Sequence, residues 1–438
     1  MTERTYTIFS IENIDEFKIK LLAWSQEYKK VIWLDSNNNK NLNSNPIQSD
    51  FDAVLAVDSF SEISSNHTNS FSKLKEFQKK TKDYIFGYLG YDLKNDIEKL
   101  NSNNFDGLKF PDVFFFQPKK MFFIKGAILE VRYLLQFESE IESDLLEIEN
   151  YKLSSKNSNS SDIKIKLRIH KDEYYSKINK VLAHILRGNI YEVSFCQEFF
   201  AENSTIDPVK AYQNLNKISS SPFATFLKAD DRFLLSASPE RFIKRTGNTV
   251  ISQPIKGTIK RGENSSEDKE LISQLENDSK ERAENIMIVD LVRNDLSKTA
   301  NKGSVKVTEL CKVYTFEQVH QLISTIESKV ETETNSIDII KSLFPMGSMT
   351  GAPKIAAMQI IEELEETKRG LYSGAVGYFS PTGDFDFNVI IRSILYNETE
   401  QYISYSVGGA ITAKSIPEKE YEECLLKAKA MREVLLNS

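Results

Sequence analysis

Two pairs of glutamates have the spacing of a metal site. Glu281 and Glu284 lie in KERAENIMIVDL, and Glu420 and Glu423 lie in EKEYEECLLKA. Residues three apart project from one helix face. Four carboxylates converging from two helices would make a hard-oxygen site suited to Mg²⁺. On spacing alone, each pair more often reads as a solvated helix face. Lys256, in QPIKGTIKRG, is the sharpest single residue. A lysine is a nucleophile only as the free amine. Pro254 and Gly257 predict a turn around it. The nearby charges of Lys260 and Arg261, together with desolvation, are expected to lower its pKa. On spacing alone, a solvated loop lysine is the commoner case.

Other segments carry weaker signals. GSMTGAPK, residues 347–354, is glycine-rich. It lacks the glycine spacing and the Gly-Lys-Ser/Thr ending of a phosphate loop, and reads as a tight turn before a helix that starts after Pro353. SVGGAIT, residues 406–412, reads as a strand ending in glycines whose amides suit a carboxylate. Arg392 stands among apolar residues in VIIRSIL, which is costly unless it faces a polar cavity or a salt bridge, and both readings stay open. His67, His170 and His184 read as surface or cap residues, and His320 as structural.

These residues need elements to hold them. Apolar spacing predicts helices over 15–28, 171–188 and 266–299. Strands are predicted over 31–35, 84–93, 190–200, 233–243, 375–379, 387–396 and 402–407, and two more within 120–138. A last helix is expected to start at a capping box of Ser415 and Glu418, with Tyr421, Leu425, Ala428 and Leu435 facing inward. Residues 35–50 and 153–162, rich in Ser and Asn, read as loops. The second divides an N-terminal region, 1–152, from a region 163–438. Strands and helices mix without strict alternation, so the expected class is α+β.

Composition narrows the function. The 438 residues are 40% hydrophobic and 27% charged, with a net charge of −7. No long basic block suggests nucleic acid. Three separated cysteines, Cys196, Cys311 and Cys424, argue against a disulfide framework and against zinc. The first eighteen residues lack an apolar signal core, and no apolar run is long enough to span a bilayer. The expectation is a cytoplasmic protein that binds neither membrane nor nucleic acid.

Taken in order, the runs GNIYEVSFCQ, SASPERF, PIKGT, ERAENIMIVDLVRNDL, FPMGSMTGAPK, YSGAVGY, IIRS, VGGAIT and EYEECLLKAKAM resemble the chorismate-binding enzyme family. The resemblance runs from about residue 167 to the C-terminus, with a looser match before it in FGYLGYDL. It implies a large mixed fold, with sheets enclosing a central chorismate cleft, helices outside, and an N-terminal segment packed into the same body. It also implies that Glu281, Glu284, Glu420 and Glu423 hold Mg²⁺. Tyr372 and Arg392 match residues that grip the pyruvyl-side carboxylate of chorismate. Gly408, Gly409 and Ala410 match a stretch whose amides meet a substrate carboxylate, and Ser348 and Thr258 join the substrate-binding set.

Within the family, anthranilate synthases resemble PIAGT and aminodeoxychorismate synthases resemble PIKGT, so Lys256 points to the second. The implied chemistry is attack of Lys256 on carbon 2 of chorismate as the 4-hydroxyl leaves. Ammonia then attacks carbon 4 and expels the lysine, and the enolpyruvyl group is kept. No cysteine sits in a GxCxG setting, so ammonia is expected from a separate glutaminase subunit or from solution. The chain departs from the family at three places. Gln321 stands where a histidine is usual, with His320 one place early; Glu192 replaces a common glutamine; Ala410 replaces a third glycine. Gln321 cannot act as acid or base, which favours amination over pyruvate elimination. The competing readings are an anthranilate synthase component I and a non-catalytic chorismate-binding partner of a glutaminase.

Overall fold

The structure is a computed structural model and describes residues 3–37, 49–153 and 163–437. Most of the predicted 35–50 loop and nearly all of the 153–162 boundary lie outside those residues. The class is α+β: helices pack around a large antiparallel sheet system.

Alternation of apolar residues explains the layers. In the strand Ala53–Ser65, Val54 and Ala56 belong to one apolar core and Leu55 and Val57 to another. Its partner Val113–Lys125 sends Met121 and Phe123 to the first core and Phe122 and Ile124 to the second. Successive side chains of a strand face opposite ways, so a sheet covered on both faces reads as a nearly continuous apolar run. Phe115 and Phe116 are fully buried, and each contributes roughly 1.5–3 kcal/mol relative to exposure.

The N-terminal region shares its sheets with the rest. Lys30–Asp35 pairs with Phe223–Ala229, and Ile85–Leu89 pairs with Ala375–Phe379. The Lys30–Asp35 strand ends in an ion pair of Asp35 with Lys18 at 2.9 Å.

Several predicted elements are broken, and the breaks position the site. The expected strand over 233–243 is two strands, Arg232–Ser238 and Arg241–Thr246, parted at Pro239 and Glu240. The expected helix over 266–299 is two helices, Ser265–Asn277 and Ser279–Ser297. Asp278 parts them by accepting hydrogen bonds from the Lys280 and Glu281 amides, an N-cap that sets Glu281 in the first turn of the second helix. The expected strand over 387–396 is likewise Phe385–Asn388 and Ser393–Asn397, with Arg392 in the kink between them.

Two expectations at the C-terminus are corrected. The final helix, Pro417–Leu436, begins with proline in its first turn and has no side-chain cap. The Ser415 hydroxyl turns back to accept from the Thr412 amide, so the capping box does not form. Cys424, Ala428, Met431 and Leu435 face inward with Tyr421, whereas Leu425 is on the exposed side. The cysteines are free and buried. Among the described residues no helix is long and apolar enough to cross a membrane.

Candidate active site

A cavity of about 520 Å³ opens between the sheets and the two glutamate-bearing helices. Its wall includes Glu240, Lys256, Thr258, Glu281, Glu284, Gln321, Ser348, Tyr372, Arg392, Gly408, Gly409, Ala410 and Glu423. The structure therefore brings most of the sequence-derived residues to one place. Glu192 stands behind Lys256, and Glu420 lies against Gly409.

Lys256 lies in the strand Ile255–Lys260, not in a turn; a bulge between Ile255 and Thr258 carries Gly257 at a φ of +89°. A side chain at Gly257 would press on Glu281 as well as adopt a strained backbone, so glycine lets the strand and helix meet. Its charge environment reverses the expectation. Arg261 is held by Asp268, and the Lys256 ammonium instead donates to Glu192 at 3.3 Å. Burial alone would lower the Lys256 pKa, but Glu192, Glu284 and Glu240 outweigh it and raise it. At rest this lysine is an ammonium ion.

Glu240 was missed by sequence reasoning. It is buried at the Pro239 break and accepts a hydrogen bond from Ser348 Oγ at 2.7 Å. Burial pushes its pKa up to about 7, against the pull of Ser348 and Lys256. The available signal was the proline in the apolar run SASPERF, since a proline interrupts a central strand. Ser348, expected to touch substrate, also positions this acid.

Arg392 and Tyr372 line the same cavity. Arg392 has a φ of +53°, and Ser373, beside Tyr372, has a φ of +62°. Such backbone costs about 1–3 kcal/mol per residue and gathers at functional sites. Among the described residues no carboxylate is paired with the Arg392 guanidinium; burial lowers its pKa, with Tyr372 and Glu423 acting the other way. The Tyr372 hydroxyl is 3.8 Å from Cys196 Sγ, and burial raises its pKa well above the phenol range.

The glycine segment does not end its strand. Tyr402–Thr412 runs through Gly408, where a side chain would strike Cys196 of the neighbouring strand. The Ser393–Asn397 strand pairs with it only at Tyr402–Ser404, because the chain turns away at Arg392. Beyond that point the edge opposite Glu192–Ala201 borders the cavity, where its amides can meet an anion. Gln321 sits across from Thr258 in the adjoining strand. His320 is buried outside this wall, between Asp268 and Thr315, and is structural.

Burial raises the pKa of Glu281 and Glu420 and takes Glu284 to about 7. At Glu423 burial acts the same way, but Lys427, 2.7 Å off, outweighs it. Lys280 lies 3.8 Å from Glu284; burial opposes its charge, but all four glutamates together raise its pKa. The donor set fits a hard divalent cation, and one buried Glu284 oxygen has no hydrogen-bond partner. Among the described residues, no three acidic, histidine or cysteine side chains are gathered closely enough to hold an ion as they stand. Lys280 and Lys427 were also missed; Lys427 follows Glu423 by one helical turn, the spacing of a surface ion pair.

The cavity is thus walled by the Lys256 ammonium, a buried acid and a guanidinium with no carboxylate partner among the described residues. Residues 29–433 match the sequence profile described as chorismate binding enzyme, and the chain belongs to that family. It is 35% identical over 351 residues to the anthranilate synthase component I-like protein of Synechocystis sp., covering 79% of this chain and 71% of that one. To aminodeoxychorismate synthase component 1 of Salmonella typhimurium it is 40% identical over 265 residues, covering 60% of this chain and 58% of that one. The chain spans 30% to 58% of the length of five of the curated aminodeoxychorismate synthases that it matches, and 76% of aminodeoxychorismate synthase component 1 of Bacillus subtilis. The crystal structure of anthranilate synthase component I from Streptococcus pneumoniae superposes with a TM-score of 0.76 at 28% identity, over 89% of this chain and 93% of that one.

Proposed function

We propose that the chain is the chorismate-aminating component of an aminodeoxychorismate synthase, making 4-amino-4-deoxychorismate for p-aminobenzoate and folate synthesis. The observation that carries this reading is Lys256: an amine on the cavity wall, with the buried acid Glu240 and the unpaired Arg392 on the same wall. Arg392, Tyr372 and the amides of Gly408–Ala410 bind the carboxylates of chorismate. Glu240, near pH 7 still partly protonated, gives its proton to the leaving 4-hydroxyl. Lys256 attacks carbon 2, and ammonia then displaces it through carbon 4. Glu281, Glu284, Glu420 and Glu423 would hold Mg²⁺, which supplies Lewis-acid polarisation of the ring carboxylate when bound. Gln321 cannot move a proton, so the enolpyruvyl group stays on. Ammonia comes from a separate glutamine amidotransferase subunit, in keeping with the "component 1" name of the Salmonella relative.

The test is product analysis. Purified chain with chorismate, Mg²⁺ and an ammonium salt should yield aminodeoxychorismate. Anthranilate with pyruvate would assign it to the anthranilate branch, and no turnover would leave a binding module.

A further inference from the structure

Lys256 must shed a proton before it can attack, and its surroundings favour the ammonium form. Free lysine leaves only about one amine in 2,500 neutral at pH 7. The carboxylates of Glu192, Glu284, Glu240, Glu281 and Glu423 all act on its charge, the first three most strongly. Glu240 accepts from Ser348 and serves as the acid for the leaving hydroxyl. Glu284 lies on the opposing helix, 3.8 Å from Lys280. Among the described residues, Glu192 alone is in hydrogen-bond contact with Lys256 Nζ. Its side chain is 1% exposed, and its second oxygen, Oε2, is buried with no hydrogen-bond partner. The backbone under it is fixed on both sides, by Ala352 and by Thr412.

We propose that Glu192, which stands where the family commonly has a glutamine, is the base that takes the proton from Lys256 and returns it at the end of the cycle. The inference rests on the lysine route described above. A buried ion pair with an orphaned carboxylate oxygen is poorly compensated, and filling the cavity with substrate removes further water from it. Passing one proton from Nζ to Glu192 discharges both partners without charging the cavity.

The proton inventory closes. Glu192 takes a proton from the Lys256 ammonium. The free amine bonds to carbon 2, both ring double bonds shift by one position, the carbon 4–oxygen bond breaks, and Glu240 protonates the departing oxygen to give water. The adduct nitrogen carries the positive charge. Ammonia bonds to carbon 4, both double bonds shift back, and the carbon 2–nitrogen bond breaks to release neutral Lys256. The new ammonium group gives a proton to Glu240, and Glu192 returns its proton to Lys256. Chorismate and ammonia become aminodeoxychorismate and water, and every side chain is restored.

The experiment follows adduct formation by intact-protein mass spectrometry. Chorismate and Mg²⁺ are mixed with wild type, Glu192→Gln and Glu192→Asp without ammonia, between about pH 7 and 9. Glutamine keeps the shape and a hydrogen bond to Lys256 but cannot hold the proton, so its lysine must deprotonate to solvent. Free amine rises about tenfold per pH unit in that regime. The wild-type to Glu192→Gln rate ratio should therefore be tenfold or more at pH 7 and shrink towards one as pH rises. Taking the ratio cancels the ionisation of Glu240, which both proteins share. Glu192→Asp keeps a carboxylate and should keep the wild-type pH dependence even at a lower rate. A ratio near one throughout, or a ratio that does not change with pH, overturns the role of Glu192 while leaving the lysine route standing. No adduct in the wild type overturns the lysine route and this inference with it.

Discussion

Glu240 makes the most demanding prediction, because its buried carboxyl couples stability to catalysis. Burial moves its pKa from the ordinary 4.5 to about 7. The folded state thus holds this proton more tightly than the unfolded chain does. The sign follows: stability at this site is full below about pH 4.5 and is lost as pH rises through about 7. At about 1.36 kcal/mol per pH unit, that interval amounts to about 3 kcal/mol. Glu240→Gln keeps the hydrogen bond to Ser348 but has no charge to bury. Urea unfolding of both proteins at pH 5 and pH 8 isolates the effect, since the other buried glutamates titrate in both. Wild type should lose about 2.5 kcal/mol more than the variant over that range, read as a larger fall in midpoint at constant slope. The variant should also lose roughly 10²–10⁴-fold in kcat, the usual worth of a general acid, and wild-type activity should decline as pH rises above about 7. Equal pH dependence of stability in the two proteins would refute the burial argument, and full activity in the variant would refute the role as acid.

Other outcomes follow from the same geometry. Arg392→Ala should raise the KM for chorismate by roughly the 2–5 kcal/mol typical of truncating a buried charge contact, and an unchanged KM in a folded variant removes it from the carboxylate site. Mg²⁺ should raise the melting temperature of the wild type, as any ligand of the folded state does, and not that of Glu281→Gln with Glu423→Gln; equal shifts would move the ion elsewhere. Putting alanine at Gly408 should be strongly destabilising in thermal melts, because its Cβ would lie 2.4 Å from Cys196 Sγ and 2.6 Å from a backbone oxygen.

Much of the site could be read in the sequence because its parts are local. The glutamate pairs are set by helical spacing, and the glycines and Arg392 by conspicuous residue types in apolar runs. What could not be read depends on tertiary neighbours. The charge around Lys256 comes from Glu192, Glu284 and Glu240, which are distant in sequence, whereas its adjacent cation Arg261 is bound to Asp268. Arg392 reads as a strand residue until the chain turns beneath it to present the guanidinium. Glu240 looks like one polar residue in an apolar strand; only the break at Pro239 buries it against Ser348. The long charged helix was misread for a similar reason. Asp278 is an ordinary helix-surface residue by composition, and its capping role shows only once the chain has bent there.

The central claim is that Lys256 is the covalent nucleophile of an amination. Its most direct test is peptide mapping after incubation with chorismate and Mg²⁺ but no ammonia. The account predicts an adduct on the peptide that holds Lys256, discharged as aminodeoxychorismate when an ammonium salt is added, and absent from Lys256→Ala. It is contradicted if no adduct forms and Lys256→Ala aminates chorismate at the wild-type rate.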